Sequence, residues 1–297
     1  MYKRVGGFIT LIMLILSLIW YLAHSTLHYN IISINSFNEA FNLINHCNDK
    51  TLITFDVDDT LITTHDPLLV TLNYPLLFKI QTIISYPKLL FRSHFELVAS
   101  AIFSQAHFFP TEKSIISKIQ QLQNNNCKII GLTSIETGSF GIIPSFEKWR
   151  AQMLHDFGIH FNNTFNTDII LDNLPQYRGN YPCFFEGIIC TNQQPKGPSL
   201  QALLEKIAFN PDAIISFDDD LDALKSIAHT CSTLNIPFTG YHYYGAKNSK
   251  PAWSTDQASH ELDRIMKTLS TPKKVLDKLE SNTIPIMHKN ITNILRV

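Results

Sequence analysis

The stretch Thr51-Leu52-Ile53-Thr54-Phe55-Asp56-Val57-Asp58-Asp59-Thr60-Leu61 decides how this chain is read. A β-rich run passes directly into carboxylates, which is the pattern of a strand opening into an acidic loop. Asp56 and Asp58 stand at i and i+2. At a strand end, such a pair can share one site in two roles, one ionised as a nucleophile and the other able to donate a proton. Upstream, Ser36-Phe37-Asn38-Glu39 has the form of a capping box and opens an amphipathic helix with Phe37, Ala40, Phe41 and Ile44 on one face. The turn Asn48-Asp49 leads from it to the strand. Two further cycles follow. A helix near Glu112 to Leu122 precedes a strand from Cys127 to Leu132 ending in Thr133, and a helix from Ser199 to Ile207 precedes a strand from Ala213 to Phe217 ending in Asp218. Helices alternating with strands predict an α/β fold with a doubly wound, mainly parallel sheet, and such sheets bind ligands beyond the carboxyl ends of their strands.

Two intervals break the rhythm. From Asp56 to Thr133 the chain runs 77 positions, far beyond the roughly 30 residues of a simple βαβ unit. The excess, residues 63–110, is rich in Leu, Ile and Phe and punctuated by Pro67, Pro75, Pro87 and Pro110, so it reads as a helical insertion. It serves either as a lid over the strand ends or as a structural extension. The interval from Thr133 to Lys196 holds a helix near Phe146 to Phe157, a turn at Asn162-Asn163 and a hairpin through Cys183 to Thr191. Gly245 to Ser254 reads as a loop before a helix carrying Ala258, Leu262, Ile265, Met266 and Leu269. The α/β core thus covers 26–62 and 111–270, with 271–297 as a peripheral tail.

At the amino terminus, Lys3 and Arg4 precede an apolar run from Phe8 to Ala23. This is the pattern of an export signal, with Ala23-His24-Ser25 as a cleavage site. Its length, with Trp20 and Tyr21 near its end, equally suits an uncleaved anchor through residues 8–23. The chain is therefore expected outside the cytoplasm, periplasmic or secreted if residues 1–25 are removed and membrane-anchored otherwise. Of 297 residues 45% are hydrophobic and 16% charged, which excludes intrinsic disorder. A net charge of -1 supplies no field for nucleic acid. Five unevenly spaced cysteines suggest neither a disulfide framework nor a zinc site, although Cys183 and Cys190 could pair across the hairpin after export.

The segment Asp56-Val57-Asp58-Asp59-Thr60 resembles the first motif, DxDxT, of the haloacid dehalogenase-like (HAD) superfamily, whose members are mostly magnesium-dependent phosphohydrolases with a Rossmann-like core. Three further segments resemble the remaining motifs in order. The strand ending in Thr133 and Ser134 is similar to the second, whose hydroxyl is expected to bond a phosphoryl oxygen. Lys196 in Pro195-Lys196-Gly197-Pro198 is similar to the third, a charge-balancing lysine, and Ser216-Phe217-Asp218-Asp219-Asp220-Leu221-Asp222 to the fourth, which holds the metal. The resemblance implies Asp56 as nucleophile, Asp58 as proton donor and acceptor, and Thr133, Ser134 and Lys196 as phosphate ligands. It implies Mg²⁺ on Asp56, the Asp58 backbone carbonyl and Asp218, with Asp219 and Asp222 as alternatives for the further ligand. The pattern Phe185-Glu186-Gly187-Ile188 together with the export signal is similar to a poorly characterised group of exported bacterial HAD-like proteins.

The function so implied is an exported phosphomonoesterase acting on a small phosphorylated substrate through an aspartyl-phosphate, with no nucleic-acid partner and a membrane partner only if the anchor stays. The alternatives are a non-catalytic binding or host-interaction protein and a phosphotransferase. Other polar residues receive plainer readings. His24 and His28 lack a third ligand, His260-Glu261 is helix surface, and Trp149 with Arg150 either faces substrate or, the plainer reading, supplies packing and a surface salt bridge.

Overall fold

The apolar runs flanking the acidic loop form the middle of one sheet. The computed structural model describes residues 30–71, apart from 42, 43, 45 and 46, and residues 92–269, apart from 253. The expected export segment, the tail beyond 270 and the middle of the insertion lie outside the described residues. The strands are β1 (Asn30–Ile34), β2 (Thr51–Phe55), β3 (Ile62–Thr64), β4 (Phe108–Pro110), β5 (Lys128–Thr133), β6 (Ile169–Ile170), β7 (Cys183–Phe185), β8 (Ile188–Cys190), β9 (Ala213–Asp218) and β10 (Phe238–Tyr243). The helices are α1 (Phe37–Phe41), α2 (Pro67–Thr71), α3 (Arg92–Gln105), α4 (Ile115–Asn124), α5 (Phe146–Asp156), α6 (Lys196–Lys206), α7 (Leu221–Thr233), α8 (Gly245–Ser249) and α9 (Thr255–Leu269).

Eight strands form one sheet in the order β1-β10-β9-β2-β5-β8-β7-β6, parallel from β1 through β8 and antiparallel over β8-β7-β6. The chain starts its central part at β2 and builds outward through β5 and β8. It then crosses back to lay down β9 and β10 on the other side of β2, so the winding direction reverses between β2 and β9. In open α/β sheets this is where a crevice opens beyond the strands' carboxyl ends.

Strand alternation divides the core into two layers. Ile53 and Phe55 of β2 pack with α1, α4 and α5, whereas Leu52 packs on the other face with α6 and α7. Thr54, on the face of Leu52, shares a buried hydroxyl hydrogen bond with Ser216 of β9 at 2.7 Å. Below the strand ends, Phe55, Phe217 and Tyr241 stack across β2, β9 and β10 at 4.7 and 4.9 Å between centroids. Such ring pairs contribute about 0.5–1.5 kcal/mol each beyond their burial and hold the three strands in register beneath the acidic loop. The capping box at α1 forms, with Glu39 Oε1 accepting from the Ser36 amide at 3.0 Å and Ser36 Oγ accepting from the Asn38 amide at 3.2 Å.

The structure departs from the sequence expectations in four places. The insertion is not wholly helical: β3 and β4 pair antiparallel, Ile62 opposite Pro110, so the two ends of the insertion leave and rejoin the core side by side. The hairpin through Cys183 to Thr191 forms around Glu186 (φ 47°) and Gly187 (φ 81°), but its second strand joins the main sheet beside β5. A side chain at Gly187 would lie 2.3 Å from the Phe161 backbone, so the position demands glycine. The expected loop after Tyr243 contains the short helix α8. The fourth departure concerns the cysteines. Cys183 and Cys190 face one another in register yet remain free thiols, while Cys47 and Cys127 form a disulfide with a Cα separation of 5.6 Å. Eighty positions apart in sequence, Cys47 and Cys127 give no spacing signal. They meet because β2 and β5 are neighbours, and they tie the amino ends of those strands together.

Candidate functional site

Three parallel strands deliver polar residues to one end of the sheet. Asp56 follows β2, its amide donating to the Phe217 carbonyl at 2.9 Å, and Asp218 ends β9. Both are buried. Between them lies Lys196, 5% exposed, whose Nζ donates to Asp56 Oδ1 at 2.5 Å and to Asp218 Oδ2 at 2.6 Å. Lys196 is the first residue of α6 rather than a loop residue before it. It reaches this place because Gly197 lets α6 close on α7: a side chain there would come within 2.2 Å of the Ser226 carbonyl oxygen.

Asp219 completes the cluster. Carboxylate oxygens of Asp56, Asp218 and Asp219 all lie within 4.8 Å of one another. The Asp219 amide donates to Thr60 Oγ1 at 3.1 Å, which fastens the loop after β9 to the loop after β2. The Asp220 amide donates to Asp218 Oδ1 at 3.0 Å, fixing the second acid. Asp222 does not belong to the site. It sits in the first turn of α7 with its carboxylate in solvent, bonded to Lys225 at 2.9 Å. The turn begun at Asp220 points it away, so of Asp219 and Asp222 it is Asp219 that stands beside Asp56 and Asp218.

Burial dominates the ionisation of this group, and the charges of the three carboxylates and one ammonium act on top of it. Burial pushes Asp56 up to about 7, against the pull of Lys196 and with the repulsion of Asp218 and Asp58. Burial, with the charges of Asp56 and Asp59, pushes Asp219 up to about 7 as well. Burial also raises Asp218. Burial works against the Lys196 charge, but Asp56 and Asp218 outweigh it and hold the ammonium above the ordinary lysine range.

These residues floor a cavity of about 630 Å³. Thr133 and Ser134 at the end of β5 form one side, Thr133 buried and Ser134 exposed. Asp58, with a half-exposed side chain, lines it as well. An aromatic wall also lines it, made by Phe103 from the insertion with Phe108, Phe140 and Phe146, where Phe140 and Phe146 stack at 4.9 Å and Phe103 meets both. Of the insertion phenylalanines, Phe91 lies outside the described residues. Two arginines also line the cavity. Arg178 donates to Glu136 at 2.6 Å and pairs with Glu96 of α3 at 2.8 Å, joining the insertion to the loop after β5. Arg150 forms a salt bridge, but not on the surface: it is fully buried and pairs with Asp58 at the cavity. Asp59, at φ 58°, accepts from Thr63 Oγ1 at 2.7 Å and is ion-paired with Lys250.

Sequence reasoning therefore misses Arg178 and Lys250 as cavity residues and leaves Arg150 between substrate and surface. Only Arg150 carries a signal, being one residue past Trp149 on a helix that follows β5. Arg178 and Lys250 lie in irregular chain.

The relatives of this chain are bacterial. An uncharacterized protein of Rickettsia felis is 30% identical over 178 residues, 58% of this chain and 58% of its own length. An uncharacterized protein of Rickettsia prowazekii is 23% identical over 211 residues, 69% of this chain and 73% of its own. A Chlamydia pneumoniae protein named "Putative outer membrane protein" is 34% identical over 79 residues, 27% of this chain and 29% of its own. The family model described as "Protein of unknown function (DUF2608)" matches residues 33–280, which take in the whole sheet beyond β1 and every residue of the cavity, and the chain belongs to that family.

Proposed function

We propose that this chain is an exported, Mg²⁺-dependent phosphomonoesterase of HAD type that works through an aspartyl-phosphate. The observation that carries the reading is the convergence of Asp56, Asp58, Thr133, Lys196, Asp218 and Asp219, from three strand ends and a helix start, on one cavity beside the reversal of the sheet's winding. A site built only to bind an anion has no use for three clustered carboxylates, two of them buried. The donor set suits a hard divalent cation: Asp56, Asp218 and Asp219 offer oxygen ligands alone. Their excess negative charge over Lys196 is what such an ion offsets. When bound, Mg²⁺ would neutralise phosphoryl oxygens and carboxylates together.

The chain's own groups supply the rest. Lys196 balances the charge of Asp56 and of the incoming phosphate. Thr133 offers a hydroxyl to a phosphoryl oxygen. Asp56 attacks phosphorus, and Asp58, two residues on, gives a proton to the leaving alcohol and afterwards takes one from the attacking water. The aromatic wall faces the leaving group and excludes water from its side of the cavity.

Export has two supports besides the amino-terminal run. The Cys47–Cys127 disulfide suits an oxidising compartment, and the Chlamydia relatives bear an outer-membrane name. No helix among the described residues is long and apolar enough to cross a membrane.

The test is a screen of phosphate monoesters with the purified full-length protein, with and without Mg²⁺. Mg²⁺-dependent release of phosphate from at least one ester, abolished in Asp56→Asn with the folded state retained, is the expected result. Undiminished activity in Asp56→Asn would remove the nucleophile and the mechanism with it.

A further inference from the structure

Arg150 is a cavity residue with no task in the proposed mechanism. Its side chain is 1% exposed, and a buried guanidinium must find an opposite charge. Among the described residues the carboxylate that meets it is Asp58: Arg150 Nη2 lies 2.9 Å from one Asp58 oxygen and 3.0 Å from the other. The rest of the guanidinium is held by packing. Nη1 meets Met153 Sδ at 3.8 Å, and the Trp149 and Phe108 rings lie 5.2 and 5.9 Å from its central carbon. The arginine is thus fixed from three sides and the aspartate is not, since the Asp58 side chain is 46% exposed. Of the pair, Arg150 is the anchor and Asp58 the group being held.

We infer that Arg150 is a positioning residue that keeps the Asp58 carboxyl group at one place beside Asp56. The inference rests on the phosphatase reading and assigns a task within it. In the first half-reaction an Asp56 oxygen forms a bond to phosphorus and the ester P–O bond breaks. Its electron pair goes to the alcohol oxygen, which takes a proton from Asp58. In the second half, water oxygen bonds to phosphorus, Asp58 takes a proton from that water, and the P–O bond to Asp56 breaks to release orthophosphate. Both transfers require Asp58 within one hydrogen bond of the reacting oxygen, and a half-exposed aspartate left free would spend most of its time in other rotamers. A lysine could supply the charge and the single-nitrogen contact, but not the planar guanidinium that packs against the Trp149 and Phe108 rings and so holds that nitrogen in place.

The inference separates from a purely structural salt bridge by its dependence on the leaving group. Expulsion of an alkyl alkoxide needs the proton, whereas 4-nitrophenolate leaves without it. In full-length Arg150→Met, kcat/KM for an alkyl monoester should fall about 100-fold and that for 4-nitrophenyl phosphate by less than about threefold, the usual span of general acid catalysis. Inhibition by orthophosphate should stay unchanged, because Thr133 and Lys196 are untouched, and Arg150→Lys should recover part of the alkyl activity. Equal losses on both esters in step with a lowered melting temperature, or no loss on either, would overturn the inference while leaving the phosphatase reading in place. If Arg150→Met does not fold, Arg150→Lys serves alone: a smaller but still alkyl-selective loss supports the inference, and an unselective one overturns it. A wild-type protein that releases phosphate from no ester with Mg²⁺ overturns both.

Discussion

Burial of the carboxylate cluster makes the metal-free protein sensitive to pH in an unusual direction. Asp56 has an ordinary value of 3.8 when exposed and about 7 in the fold, so between these values the folded state binds the proton that the unfolded state has released. Stability then falls as pH rises through that window, because it declines wherever the native state holds more protons than the unfolded one. Below about pH 4 the contribution is fully present; above about 7 it is gone. A rise from 3.8 to about 7 corresponds to about 4 kcal/mol. Asp219, likewise held at about 7, acts in the same direction. For a chain of this size each kcal/mol moves the melting temperature about 2–4 °C, so Asp56 alone predicts a fall of about 8–16 °C between pH 4 and pH 8 in a chelated sample. Mg²⁺ should reverse the fall, and more so at high pH, since its carboxylate ligands must shed their protons to bind it. The assay is thermal unfolding of chelator-treated full-length protein from pH 4 to 8, with and without saturating Mg²⁺. Asp219→Asn should lessen the metal-free fall, leaving the part due to Asp56, and remove most of the gain from Mg²⁺. A metal-free melting temperature that holds level or climbs between pH 4 and 8, or a Mg²⁺ shift equal at pH 5 and pH 8, would refute the reasoning.

Other expectations concern the cavity wall, the disulfide and the address. Phe103→Ala, which opens the wall where the insertion meets Phe140, Phe146 and Trp149, should change the ranking of phosphate esters by kcat/KM while orthophosphate inhibition stays similar; a uniform loss that tracks stability would assign Phe103 to the core alone. The Cys47–Cys127 bridge spans 80 positions, and loop-closure entropy puts its contribution near about 4 kcal/mol, so Cys47→Ser should lower the urea midpoint, and thiol labelling of the denatured, unreduced wild type should find Cys183, Cys190 and Cys231 but neither Cys47 nor Cys127. A carboxyl-terminal reporter fusion in a bacterial host should be recovered outside the cytosol; full-length fusion confined to the cytosolic fraction would count against export.

What could be read from the sequence follows from how local each signal is. The central strands announce themselves because both of their faces are buried: Leu52, Ile53 and Phe55 of β2 serve two opposite core layers, which makes the run apolar regardless of register. Asp56 and Asp218 are legible for the same reason, as charges at the end of a buried strand that no packing argument explains. β1 is different. Asn30-Ile31-Ile32-Ser33-Ile34 lies at the sheet edge against β10 alone, and at five residues it is too short to stand apart from the apolar run before it. The cavity's far side was hidden by distance along the chain. Arg178 acquires meaning only where Glu96 and Glu136 converge on it, and Arg150 only because α5 packs so that its guanidinium ends at Asp58, 92 positions earlier. The acidic floor thus belongs to local sequence and the cationic and aromatic walls to tertiary packing. If the floor performs the chemistry and the walls select the ester, substitutions at Asp56 should silence every substrate alike. Substitutions at Phe103 or Arg150 should instead sort substrates from one another, and that contrast is where the two halves of the site can be told apart.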